Sequence, residues 1–170
     1  MNGEREYGTR ERRVIVGIQD SVAGLQALRC GVAEARRRGA TVYLARVVKP
    51  PAGYLDGVAW RTEMSVTAAE YAERVLVDTL GGIPRDVEVR TVALEGTAAP
   101  ALVRFANGED DLLVVGDAQR SGIRRLWSGH VARYCARWST CPVLLVPPPA
   151  LSRVDSRTLT RELRKLVDAA

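Results

Sequence analysis

The residue types that perform acid–base, nucleophilic or metal chemistry are thinly spread along this chain. There is one histidine, His130, and a lone histidine without a matching nucleophile reads as structural or solvated, not as a general base. Ser121 and Ser128 have no G-x-S-x-G setting, the strand-to-helix turn that exposes a nucleophilic serine. The carboxylates form no pair suited to acid–base work. The three cysteines, Cys30, Cys135 and Cys141, include no C-x-x-C pairing. A zinc site needs four suitable ligands, and a single histidine cannot help these thiols assemble one. Cys30 and Cys135 fall on apolar helix faces, where a thiol behaves as a small hydrophobe. The thiols are therefore expected to be reduced and structural. No enzyme, no metal and no resident cofactor is expected from these residues.

The charge pattern narrows the partners. The formal charge is +5, and Lys49 and Lys165 are the only lysines, so the excess is arginine. Arginines are scattered over Arg36–Arg38, Arg120–Arg125 and the tail, with Glu109, Asp110 and Asp111 between. No basic stripe interleaved with aromatics emerges, and the segment around Arg133 and Arg137 is too sparse for a recognition helix, so nucleic acid is not an expected partner. With 46% apolar and 26% charged residues the composition is that of a soluble globular protein. No apolar run approaches bilayer length. Met1 to Arg13 lacks the apolar core of a secretory signal, which reads as a short flexible arm on a cytoplasmic protein.

The elements that must position any site follow from periodicity. Val14-Ile15-Val16, Val42-Tyr43-Leu44-Ala45, Leu112-Leu113-Val114-Val115 and Val143-Leu144-Leu145-Val146 are solid apolar runs, as strands covered on both faces require. Val87 to Val92 alternates apolar and polar, as a half-exposed edge strand does. Between them lie helical stripes. Leu25, Leu28, Val32 and Ala35 form the first, with Ser21 as N-cap and Gly39 as C-terminal stop. Met64, Ala68, Tyr71, Val75 and Thr79 form the second, ended by Gly81-Gly82. Ala98, Leu102 and Phe105 form the third, behind a Thr97 cap and before Gly108. Val131, Cys135 and Trp138 form the fourth. The order βαβαβαβαβ implies an α/β fold with a doubly wound parallel sheet and right-handed crossovers. Three regions result: an arm over 1–11, a domain over 12–148, and a tail over 149–170. In the tail, Leu159, Leu163, Leu166 and Val167 predict an amphipathic helix from about Ser156.

Several segments together resemble the universal stress protein family. Val14-Ile15-Val16-Gly17-Ile18-Gln19-Asp20-Ser21 is similar to its V-G-V-D-G-S strand end. Glu95-Gly96-Thr97-Ala98-Ala99-Pro100-Ala101-Leu102-Val103 resembles its G-x-P-A-x-x-L-V helix start. Asp111-Leu112-Leu113-Val114-Val115-Gly116, Gly129-His130-Val131 and Cys141-Pro142-Val143-Leu144-Leu145-Val146 resemble D-L-L-V-V-G, G-S-V and C-P-V-L-V-V. The match runs over about residues 12 to 147, in order and at family spacing. A flavodoxin would instead carry a hydroxyl-rich phosphate loop where Gln19-Asp20-Ser21-Val22-Ala23-Gly24 stands. The resemblance implies five strands in the order 3-2-1-4-5. It also implies a homodimer through the last strand, Val143, Leu144, Leu145 and Val146.

Many members of that family bind ATP through G-x2-G-x9-G-[ST] after the fourth strand. Glycines let the backbone approach phosphates closely, and the next helix offers free N–H groups. The resemblance places Gly116 and Gly129 on the outer glycines of that motif, with Gly122 a further loop glycine. It places Val47 where backbone groups meet adenine. The chain departs from the motif at Gln119, His130 and Gln19, which replace a glycine, a hydroxyl residue and an aspartate. Arg120, Arg124 and Arg125 could supply phosphate contacts instead, or stand as a solvated loop. The resulting expectation is a non-enzymatic, homodimeric stress-response or signalling module with a degenerate nucleotide loop. The alternative is an ATP-binding switch that holds phosphates with Gly116, Gly129, His130 and the nearby arginines.

Overall fold

In the computed structural model of the chain, residues 11–49, 57–117 and 130–149 are described. Among these described residues nine elements alternate: β1 Arg13–Gly17, α1 Val22–Arg38, β2 Thr41–Val48, α2 Gly57–Leu80, β3 Val89–Glu95, α3 Ala98–Phe105, β4 Leu112–Gly116, α4 His130–Trp138 and β5 Val143–Val146. The strands form one parallel sheet in the order β3-β2-β1-β4-β5. This is the order that the family resemblance implies. The predicted tail helix lies outside the described residues.

The apolar runs become interior strands because helices cover both faces. Val14, Val16, Leu44 and Val114 point into a core shared with α1 and α2. Their neighbours Ile15, Ala45, Leu113 and Val115 point into a second core, with Leu102 of α3 and Cys135 of α4. Alternate side chains of one strand thus feed opposite layers. Cys141 also belongs to the second core, and all three thiols are free.

The caps of α1 are as its sequence predicts. Ser21 Oγ accepts the Gly24 N–H at 3.0 Å, and Gly39 closes the helix in the left-handed region at φ 58°, where a glycine costs least. Thr97 precedes α3 in extended geometry, but its side chain makes no capping hydrogen bond. The third strand is displaced from the expected 87–92. β2 runs on to Val48, and β3 pairs with it from Val42↔Val89 to Val48↔Glu95. The partner's length, not the local alternation, sets where β3 ends. Val87 is left just outside the strand and is buried in the first core. Trp138 differs too. The buried line of α4 runs through Ala132 and Cys135, small residues that seat the helix closely. Trp138 lies to one side of that line and is 57% exposed.

Candidate functional site: a crevice at the ends of β1 and β4

In this strand order the chain leaves β1 toward β2 and later returns to the other side as β4. The connections after β1 and β4 therefore depart to opposite faces, and a crevice opens between their carboxyl ends. Its volume is about 230 Å³, and the strand ends contribute Gly17, Val47, Val115 and Gly116 to its lining. Leu102 of α3 and Val131 of α4 add apolar wall, while Gln19 and Ser21 of the β1–α1 turn add polar atoms. Every described side chain that lines it is uncharged.

The turn that carries Gln19 is tightly bonded. The Ile18 N–H donates to the Ala45 carbonyl at 3.0 Å, and the Ser21 N–H to the Gln19 carbonyl at 2.8 Å. That carbonyl sits so near α1 that a Cβ on Gly24 would stand 2.3 Å from it. Gly116 is equally constrained. A Cβ there would meet the Ala23 carbonyl carbon and oxygen at 2.7 Å and the Gly24 nitrogen at 2.8 Å. Its φ is not among the positive values, so the requirement is steric. The end of β4 packs directly against the first turn of α1.

Of the residues singled out in the sequence, Gln19, Val47 and Gly116 meet around this crevice. Gln19 is exposed and Val47 half-buried. His130 is the first residue of α4, yet it is not among the residues that line the crevice. Its ring stacks along the helix on Tyr134, with centroids 6.2 Å apart and planes at 22°. Gln119, Arg120, Gly122 and Gly129 lie outside the described residues. Ser21, Gly24 and Leu102 line the crevice too. The sequence marks Ser21 as an N-cap and the end of a family-like strand segment, Leu102 as a helix-stripe residue, and Gly24 only as part of the segment that follows β1. None of the three stands out there as a site residue. Among the described residues no group of three or more metal-ligating side chains forms. No described helix is long and apolar enough to cross a membrane.

The sequence model described as the universal stress protein family matches residues 11–147. The chain belongs to the universal stress protein family. Universal stress protein MJ0531 of Methanocaldococcus jannaschii is 28% identical over 151 residues, which is 87% of this chain and 86% of that one. A universal stress protein solved in complex with cAMP shares the fold, with a TM-score of 0.57 and 23% identity, over 81% of this chain and 98% of the other. So does the universal stress protein from Archaeoglobus fulgidus in complex with dAMP, with a TM-score of 0.51 and 22% identity, over 81% and 98%. Within the family's fold, the Gln19 turn and the Gly116 strand end flank the crevice of this chain.

Proposed function

We propose that this universal stress protein is a non-enzymatic, homodimeric stress-response or signalling module whose crevice takes an adenine nucleotide. The observation that carries the reading is the open crevice of about 230 Å³ at the switch point, whose described lining residues are all uncharged. Apolar walls from Leu102 and Val131 suit a purine face, and Gln19 and Ser21 offer hydrogen bonds to a base edge or ribose. The two fold relatives solved with cAMP and with dAMP support an adenylate as the ligand class. No described lining side chain is an acid, a base or a charged phosphate clamp, which favours occupancy over turnover as the signal. Calorimetric titration of the purified protein with AMP and ATP is expected to give saturable binding in the micromolar range. ATP incubated with the protein is expected to yield no ADP above the blank. Absence of heat with both nucleotides at millimolar ligand would overturn the reading.

The dimer rests on β5, an edge of the sheet whose four residues carry no charge. Leu145 is 37% exposed there, whereas the other edge, β3, carries Arg90 and Glu95. An uncharged apolar edge invites pairing, and a second copy across a two-fold axis satisfies it symmetrically. Sedimentation is expected to show a dimer at micromolar concentration. Leu145→Lys is expected to shift it to monomer with an unchanged circular dichroism spectrum. A wild type that sediments as monomer, with and without residues 150–170, would refute the dimer.

A further inference from the structure

Gln19 and Ser21 line the crevice, and Asp20 stands between them in sequence. Asp20 Oδ1 accepts a 2.5 Å hydrogen bond from the hydroxyl of Tyr71. Tyr71 comes from α2, is 7% exposed, and belongs to the core on the α1–α2 face of the sheet. Arg46 is flanked in β2 by the crevice residues Ala45 and Val47. Its guanidinium lies 3.7 Å from the Tyr71 ring centroid, and that of Arg74, further along α2, lies at 5.8 Å. The ring is thus held by the core and by two cations, leaving the hydroxyl as its only link to the β1–α1 turn that these contacts display. Burial, then the bond to Asp20, push the Tyr71 phenol up to about 12, so the proton stays on Tyr71 and it remains the donor near neutral pH.

The turn is internally rigid, since the Gln19 carbonyl accepts the Ser21 N–H within it and Ser21 Oγ accepts the Gly24 N–H from the first turn of α1. A rigid turn moves as a unit, and a contact at one of its residues sets the position of the others. We propose that Tyr71 is a positioning residue for the crevice: by holding Asp20 it fixes where Gln19 and Ser21 meet a bound adenine nucleotide. The proposal rests on the nucleotide reading given above. It assigns to α2, on the far layer, a part in ligand binding that no lining residue reveals. If the released turn is in register one time in ten, apparent affinity falls about tenfold, because only the competent fraction binds.

Tyr71→Phe keeps the ring for the core and for Arg46 and removes only the hydroxyl. It is expected to weaken AMP binding about tenfold with little change in thermal midpoint. Asp20→Ala should match that loss, and the double variant should lose no more than either single one. Asp20→Asn, which keeps an acceptor oxygen, should restore most of the affinity. A purely structural tyrosine would lower the midpoint and leave AMP affinity alone, and that result would overturn the proposal. Amide exchange at Ser21 and Gly24 in the ligand-free protein provides the separate readout. Exchange about tenfold faster in Tyr71→Phe supports the hold on the turn, and unchanged exchange refutes it whatever AMP does. A wild type that binds no AMP removes the nucleotide reading and the ligand half of this proposal together, while exchange still decides whether Tyr71 holds the turn.

Discussion

Gly116→Ala is expected to destabilise the protein by about 3 kcal/mol, at the upper end of what one added methyl costs in a packed site. The three atoms nearest the added Cβ would all be backbone, the Ala23 carbonyl carbon and oxygen at 2.7 Å and the Gly24 nitrogen at 2.8 Å. Backbone atoms of a capped first turn cannot rotate aside, so β4 and α1 must separate by several tenths of an ångström. The separation opens two buried layers, because Val115 beside it is 4% exposed and Ala23 is 2% exposed. Gly17→Ala is the internal control. Its Cβ would meet Leu102 Cδ1 at 3.1 Å, a side-chain end that can change rotamer, and about 1 kcal/mol is expected. Urea denaturation of both variants measures the difference. The resemblance reads Gly116 as a phosphate-loop glycine. A Gly116→Ala variant of wild-type stability that had lost nucleotide binding would support that role alone and contradict the steric one.

Asp111→Ala is expected to cost about 3 kcal/mol by removing one side of a buried pair. Asp111 is 2% exposed and accepts from Arg13 Nε at 2.9 Å and Nη2 at 2.5 Å. It also accepts the Gly108 N–H at 2.7 Å. The same guanidinium donates to the Phe105 carbonyl at 3.2 Å and lies 5.2 Å from the Phe105 ring and 5.8 Å from that of Tyr43. The carboxylate and the guanidinium together thus tie the start of β1, the end of α3 and the turn into β4. Alanine would leave a partly buried cation without its counter-charge and an amide without its acceptor. Asp111→Asn keeps an acceptor and should recover part of the loss. Arg36 and Asp86 form a pair of similar geometry, at 2.6 Å, but both partners are about half exposed, and Asp86→Ala is expected to have no measurable effect. Equal denaturation midpoints for Asp111→Ala and Asp86→Ala would show that burial does not set the value of the Arg13 pair.

Much of the architecture was legible because it is written in local periodicity. A run such as Val14-Ile15-Val16 has no polar face, so it must be covered on both sides. Ser21 and Gly39 bracket α1 through hydrogen-bonding and backbone preferences that act within a few residues. The alternation near Val89 marked an edge strand, and β3 is one. The strand order needed more than periodicity; it came with the family resemblance, which the match over residues 11–147 bears out. Of the residues that line the crevice, Gln19, Val47 and Gly116 are ones that the family resemblance singles out, and they stand at or just past strand ends, where a doubly wound sheet opens its crevice.

What the chain's pattern alone left undecided are contacts between residues distant along it. Asp20 meets Tyr71 across 51 positions and Arg13 meets Asp111 across 98, and neither pair leaves a periodic trace. Asp111 reads as one of three consecutive acids until the fold buries it. Tyr71 reads as one more member of an apolar stripe until its hydroxyl is seen to reach the crevice turn. The ends of β3 depend on how far β2 extends, and the exposure of Trp138 depends on which line of α4 its neighbours accept. Local sequence determines which faces are apolar and where helices start and stop, because those energies act over a few residues. Only tertiary packing decides which buried groups share a site, because that depends on the register in which remote elements meet.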